Sequence, residues 1–559
     1  MNPARSFITL LCITCLASTD LLAQRDLIPP TDPVYKFLLR QEINGTLNGF
    51  HWGMLPLSRR EIAGFLDSME SSGELSATDR GILRDLQIKL SFDRTNSLSN
   101  STSILPGGGL TSLLDDDKQK YLYAYADSTA SVFIDGFGSY SYRAGKGDSA
   151  GSNFASLGEI GFRVRGTLFD RLGFYLQTSN GNLLSGSRRF AQFESLDPRL
   201  VANNKFNSDD RGFFDITNGY MRYDADWLSL MVGREQISWG MGYGDRLVFS
   251  ENTVPFDFVR LDIRSGNLRY SFVHGSLVGA DTNGHTLSSK YIASHRLEFN
   301  IGSRFRLGLG EAIVYSRQPP SLALMNPLAF LTSTDQSIQL PVDNAHKKHI
   351  WVDFELFPAR KFRVNGTLMI DDLNLGTIGN SDVSGNDNKF GWQGGVLWQD
   401  ALSVNNLLLS LEYTRIGPFV GAHREIVSTY TNWGLPLGQA LQPNSDEWML
   451  LTEYDLTPRI SLSGKFQFQR TGENIVDASG NILFNAGSDL LHGEGDFDHP
   501  NVFLEGVRIN RFLATIGMTW QPVRQYFIEL TYFFRSFSYP SPSRNLRDNI
   551  VWSTVRVDF

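Results

Sequence analysis

Val551-Trp552-Ser553-Thr554-Val555-Arg556-Val557-Asp558-Phe559 closes the chain with two distinct faces. Val551, Ser553, Val555, Val557 and Phe559 fall on one side of an extended segment, and Trp552, Thr554, Arg556 and Asp558 fall on the other, because strand side chains alternate with period two. One side suits lipid and the other a wet lumen, as in a membrane-spanning β-strand. The same alternation recurs upstream to about Ser131. Leu462, Phe466 and Phe468 alternate with Ser463, Lys465, Gln467 and Gln469; Tyr526, Ile528, Leu530, Tyr532 and Phe534 alternate with Gln525, Glu529, Thr531 and Arg535. Short turns at 170–171, 224–226, 265–266, 302–303, 358–359, 400–404, 457–458 and 521–522 interleave with long polar connections. These lie at 143–154, 181–213, 237–255, 279–290, 318–345, 372–387, 416–445, 471–507 and 537–546. Eight short and nine long connections predict an all-β transmembrane fold, an 18-stranded antiparallel outer-membrane β-barrel with both chain ends on the short-turn side. Eighteen strands enclose a cylinder on the order of 35 Å across, wide enough to hold water unless loops or helices fill it. A soluble β-sandwich would share the alternation but needs no such long/short rhythm.

Composition agrees. Aromatic residues make 12% of the chain and glycine is abundant at 52 residues, which suits strands, tight turns and interfacial girdles. Only 41% of residues are apolar, and past the amino terminus no run is long enough for a membrane helix. A barrel escapes that requirement by pairing its backbone between strands. Residues 1–23 read as a secretory signal peptide: Arg5, the apolar Phe7–Ala17 stretch and the Leu21-Leu22-Ala23 site. Both cysteines, Cys12 and Cys15, lie within it, so no disulfide is expected; Cys12-Ile13-Thr14 is a poor lipobox. The net charge of −8 forms no basic stripe and argues against a nucleic-acid partner. Phe559 resembles the terminal signal of bacterial outer-membrane barrels. The expected location is therefore the bacterial outer membrane, with membrane lipid and the barrel assembly machinery as partners.

Residues 24–91 carry a helical period instead. Tyr35, Leu38, Leu39 and Glu42 follow Asp32-Pro33; Ser58-Arg59-Arg60-Glu61 is a capping box before Ile62, Phe65, Leu66 and Met69; Ser76 can cap a helix bearing Ile82, Leu83, Leu86 and Leu90. Three short helices bury little surface alone, so this small α-helical bundle is expected to dock on the barrel or another protein. Residues 92–118 read as a linker and 119–559 as the barrel.

The most distinctive stretch is Gly233-Arg234-Glu235-Gln236-Ile237-Ser238-Trp239-Gly240-Met241-Gly242, followed by Phe256-Asp257-Phe258-Val259-Arg260-Leu261-Asp262. These motifs resemble those of the Wzi-like capsule assembly proteins, as do Met325-Asn326-Pro327-Leu328-Ala329-Phe330 and the Pro56-Leu57-Ser58-Arg59 helix start. The resemblance covers most of the chain after the signal. It implies an 18-stranded outer-membrane barrel with a helical bundle, acting as a surface lectin that holds exported capsular polysaccharide on the cell.

Charge on a lipid face costs about 2 to 4 kcal/mol near the midplane for a basic residue. On that ground Arg234, Arg260 and Asp262 are expected to line the lumen as a charge ladder, with Glu235 near a rim or in a bulge and Trp239 at the constriction. Gly240-Met241-Gly242-Tyr243-Gly244 lacks the βαβ context of a phosphate loop and reads as tight packing of an inward loop. Sugars stack their C–H faces on aromatic rings, so Phe419, Tyr430, Trp433 and Tyr539 are candidate glycan-binding loop residues. The acidic Asp489–His499 loop matches no EF-hand register; no metal or cofactor is expected. The nine histidines are scattered without a catalytic signature, so no enzyme is expected. The reading is a non-enzymatic protein for assembly or surface retention of capsular or extracellular polysaccharide. The alternative is a porin or carbohydrate channel, disfavoured if the 237–255 and 318–345 loops fold inward and pack the lumen through Leu247, Phe249, Leu328 and Phe330.

Overall fold

A computed structural model describes residues 24–70, 75–105, 110–194, 197–203, 206, 212–281, 284–338, 346–372, 388–493, 502–540 and 543–559. The expected signal peptide, the Gly107-Gly108-Gly109 run and much of the 489–499 loop lie outside these residues.

Eighteen long strands close into one antiparallel barrel. They are β1 (Ala130–Gly147), β2 (Gly151–Leu168), β3 (Leu172–Gly186), β4 (Phe213–Asp224), β5 (Leu228–Glu235) and β6 (Phe256–Ser265). Next come β7 (Leu268–Asp281), β8 (Gly284–Ile301), β9 (Phe305–Ser316), β10 (Lys347–Ala359), β11 (Phe362–Asp372) and β12 (Lys389–Gln399). Then follow β13 (Leu407–Ile416), β14 (Ser445–Thr457), β15 (Ile460–Glu473), β16 (Val507–Trp520), β17 (Tyr526–Pro540) and β18 (Ser543–Asp558). Closure pairs β18 with β1 from Asp548↔Gly147 to Asp558↔Phe137. The short segment Tyr123–Ala126 pairs with the start of β1 and continues the seam below the chain end. The eight short turns fall where the alternation breaks. Three expected long connections, 143–154, 279–290 and 537–546, are mostly strand, so their hairpins extend the wall.

The pleat sorts the side chains. On β14, Trp448 and Leu450 are exposed outward while Glu447, Met449 and Leu451 are buried inward. Trp392, Tyr413 and Trp448 on β12, β13 and β14 form an outer aromatic belt, with ring centroids 4.9 and 4.7 Å apart.

Among the described residues four α-helices precede the barrel: α1 (Val34–Asn44), α2 (Arg59–Glu70), α3 (Ala77–Lys89) and α4 (Ser91–Thr95). The capping box forms at α2, where Glu61 N donates to Ser58 Oγ (3.3 Å) and Ser58 N to Glu61 Oε2 (3.3 Å). Ser76 Oγ accepts from Asp79 N (2.9 Å) at α3, and Gly45 ends α1 with φ of 76°. Tyr35, Leu38, Phe50, Leu55, Leu66 and Met69 pack with each other and with Leu397, Leu408, Met449 and Leu451 of the wall. The bundle is therefore a plug, fused to the lumen face at the short-turn end. Each large apolar side chain buried there contributes about 1.5–3 kcal/mol.

A second layer fills the lumen above the plug. Ser238-Trp239 pairs antiparallel with Met54-Leu55, and Trp239, Leu247, Val248 and Phe249 join a core with Val273, Ile292, Val314 and Trp351 of the wall. The 237–255 loop thus folds inward. The 318–345 loop does not: its described part crosses to the outer surface, and Leu328 and Phe330 are exposed there.

Candidate functional site

The glycine-rich stretch packs as an inward turn. Trp52 of the plug donates from Nε1 to Gly242 O (2.9 Å) and stacks on Tyr243 at 5.8 Å, with the Arg246 guanidinium 4.4 Å over its ring. Glu412 on β13 accepts from Tyr243 N (2.6 Å) and Gly244 N (2.9 Å). A Cβ on Gly242 would meet Asp245 O at 2.0 Å, so only glycine fits. Trp239, expected at the constriction, is fully buried in this packing, edge-on to Phe249 at 5.4 Å.

Arg260 and Asp262 face inward as a ladder. Arg260 Nε donates to Asp262 Oδ1 (2.8 Å), which also accepts from Ser271 Oγ (2.7 Å). Beside them Arg264 and Arg269 grip Glu61 of α2 at 3.2 and 3.0 Å, so the ladder braces the plug. Arg234 and Glu235 exchange the places expected of them. Arg234 points outward with Leu230 and Val232 and pairs with Asp257 (2.6 Å), while Glu235 points inward and is buried. The pleat of β5 runs unbroken to its end, and Arg234 sits beyond the apolar band, where an outward charge costs only about 0–1 kcal/mol.

The aromatic candidates also separate. Phe419 and Tyr430 are buried in the loop layer, Tyr430 donating from its hydroxyl to Val248 O (3.1 Å). Tyr539 stands at the top of β17, with Arg544 4.9 Å over its ring. Trp433 is the one of the four that lines a large cavity, held there at φ of 57° by Trp433 N donating to Val278 O (3.0 Å).

That cavity, of about 810 Å³, lies beside the plug. Tyr175, Gln177, Asn218 and Glu235 contribute to its wall, the 251–255 segment and Trp433 to its roof, and Thr31-Asp32-Pro33 to its floor. Tyr175 is fixed by stacking on Tyr220 at 5.2 Å and by its hydroxyl donating to Gln177 Oε1 (2.8 Å). Asn218 Oδ1 is buried without a hydrogen-bond partner. Each arginine at the cavity is engaged among the described residues: Arg199 with Asp197 and Glu159, Arg163 with Asp558, Arg556 with Asp558 and Glu529, Arg234 with Asp257. Glu235 makes no such ion pair among those residues, and Glu251 interacts electrostatically with Arg246. At the floor, burial opposes ionisation of Asp32, but Lys89 overcomes it and holds the carboxyl below the usual range. A second cavity of about 510 Å³ lies toward the short turns and shares Pro29, Asp32, Arg163, Arg556 and Asp558 with the first.

The lining comes from many separate strands and loops, so no local motif marks it. Sequence reading missed Tyr175, Asn218 and the Arg163–Asp558 pair for that reason.

The capsule assembly protein Wzi family model matches residues 185–502, a span that holds β4 to β15, the inward loop and Trp433. The chain belongs to the Wzi family. Wzi of Escherichia coli, an outer-membrane protein involved in group 1 capsule assembly and a carbohydrate-binding β-barrel, has a similar structure. Its TM-score is 0.57 at 13% identity, over 97% of this chain and 100% of that one. OprD of Pseudomonas aeruginosa is more distant, with a TM-score of 0.44 at 10% identity over 77% of this chain and 95% of that one. No curated protein matches the chain in sequence. As a Wzi-family barrel the protein resides in the bacterial outer membrane, with its short turns toward the periplasm and its long loops outside.

Proposed function

We propose that the protein retains or assembles capsular or extracellular polysaccharide at the cell surface, by binding sugar units without turning them over. The observation that carries this reading is the 810 Å³ cavity under the long loops, where Tyr175 and Trp433 meet Gln177, Asn218 and Glu235. Aromatic faces suit the C–H side of a sugar ring, and side-chain amides and carboxylates suit its hydroxyls. With its arginines held by carboxylates among the described residues, the cavity favours neutral units over uronates. A polymer presents many repeats to many barrels, so weak single contacts add to firm retention. The test is the partition of polysaccharide between cells and medium in a deletion strain and in the complemented strain. Shedding at unchanged total synthesis supports the reading; an unchanged partition overturns it.

One observation favours a second reading, a carbohydrate channel. The two cavities share Pro29, Asp32, Pro33, Arg163, Arg556 and Asp558 in their linings, so few side chains stand between them. Single-channel recording separates the two readings, because a retention protein needs no steady conductance.

A further inference from the structure

The segment 317–338, with Met325–Phe330 and the helix α5 (Leu331–Ile338), rests on the outside of the barrel. Its floor is built from outward positions. On β7 to β9 the inward set includes Ser271, Arg296 and Arg306, which reach the ladder and the plug, so Phe272, Ala293, Ile313 and Tyr315 face the membrane side. Leu324 and Leu331 pack on those four residues as a separate external core.

This sector of the wall carries polar groups that hydrocarbon would not tolerate, and the segment satisfies them. Glu311 accepts from the backbone N–H of Leu331 and Thr332 and from Thr332 Oγ1 (2.8 Å), so a wall carboxylate caps α5. His295 Nε2 lies 2.8 Å from the same carboxylate. Tyr270 donates from its hydroxyl to Pro327 O, and Ser321 N donates to Tyr315 Oη (3.1 Å). Asp335 pairs with His346 and with Lys348 (2.5 Å). Internal pairing of this kind is what a water-free surrounding demands.

The outer side of the segment is continuous with the lipid-facing wall. Leu322 and Leu328 are 83% and 85% exposed, Phe330 and Ile338 about half, next to exposed Leu309 and Ile350 of β9 and β10. The deepest contact, Tyr270 with Pro327, stands in register with Leu297 and through it with lipid-facing Leu309. From there α5 climbs to Lys348 at the start of β10, which places its polar Gln336 and Ser337 toward the long-loop end.

We propose that residues 317–338 form a lipid-binding element lying in the outer leaflet against the barrel wall, with Leu322, Leu328, Phe330 and Ile338 among acyl chains. The segment is thereby withdrawn from the polar loop surface that faces the surroundings of the cell.

After residue 23 the chain contains no cysteine, so a single cysteine can carry a nitroxide label. The full-length mature barrel, reconstituted in lipid bilayers, is labelled at Leu328→Cys and its collision rates with oxygen and with a water-soluble nickel chelate are compared. Val396→Cys on the exposed wall and Ser479→Cys in a polar turn give the lipid and water limits. An oxygen-to-nickel ratio nearer the Val396 label supports the proposal, and one nearer the Ser479 label overturns it. Phe330→Cys gives the same reading if the Leu328 variant fails to insert.

Discussion

Arg163 on β2 reaches across β1 to the carboxylate of Asp558, the penultimate residue of the chain. The ion pair therefore ties three strands together where the barrel closes, and Arg556 adds a second contact to the same carboxylate at 3.1 Å. It also lines both cavities. The intact barrel is expected to conduct little in planar bilayers, and Arg163→Ala with Asp558→Ala to conduct more. Equal conductance in both would mean that the ion pair does not separate the two cavities. Because both side chains are about a quarter exposed, their loss is expected to cost only about 1 kcal/mol of stability.

Trp433 and Phe419 should respond differently to truncation. On the proposed function Trp433→Ala removes stacking surface from the cavity, weakening sugar binding by about 0.5–1.5 kcal/mol. The shed fraction of polysaccharide is then expected to rise with the barrel still heat-modifiable on gels. Tyr175, Phe419 and Tyr430 are buried, so their alanine variants are expected to lose about 3–5 kcal/mol of stability instead. Shedding that tracks stability across all four variants would remove the cavity from the proposal.

Period-two alternation reveals the barrel because each strand solves the lipid/lumen problem locally, as in Val551–Phe559. The helices are equally local: Ser58 and Ser76 announce their own caps. Height along a strand is not local, and for that reason the cost of a lipid-facing charge misplaced Arg234. The course of the 318–345 loop was legible in another place. Tyr270, His274, His295, Glu311 and Lys348 occupy lipid-facing positions of neighbouring strands, and polar residues there require a cover. The cavity was not legible at all, since Tyr175, Glu235, Trp433 and Asp558 meet only through closure.

His51 gives plug docking a pH dependence. Its Nδ1–H donates to Glu298 Oε1 (2.5 Å) and its Nε2 faces Asn300 Nδ2 (3.4 Å), an arrangement that suits the neutral ring. Burial first, and Arg269 next, hold its pKa below the ordinary value, although Glu298 pulls the other way. A released His51 would titrate near the usual value of about 6.5. As pH falls below about 6.5 the released form binds a proton that the docked form resists, so docking weakens; above that pH the contribution is complete. Protease release of the plug at increasing urea should therefore need less urea at pH 5 than at pH 8. His51→Gln should flatten that difference, and an unaltered slope would refute the assignment.

Arg296 stands fully buried between Glu298 and Asp353, and its environment is built to hold it. Gly308 leaves the room: a Cβ there would meet Asp353 Oδ1 at 2.1 Å and Arg296 Nη2 at 2.5 Å. Removing the guanidinium alone strands buried carboxylates without a counter-ion, which costs about 3–5 kcal/mol. Replacing Arg296 and Asp353 together by apolar groups of similar volume leaves only Glu298, which keeps His51, without its guanidinium. Arg296→Ala is therefore expected to destabilise the barrel strongly, and Arg296→Met with Asp353→Leu to cost much less than the two single changes summed. Gly308→Ala should behave like Arg296→Ala, because the added methyl displaces the same pair. Urea unfolding of the parent protein, Arg296→Met, Asp353→Leu and the double variant closes the cycle. Additive losses would mean that the ion pair is incidental and that packing alone holds this part of the lumen.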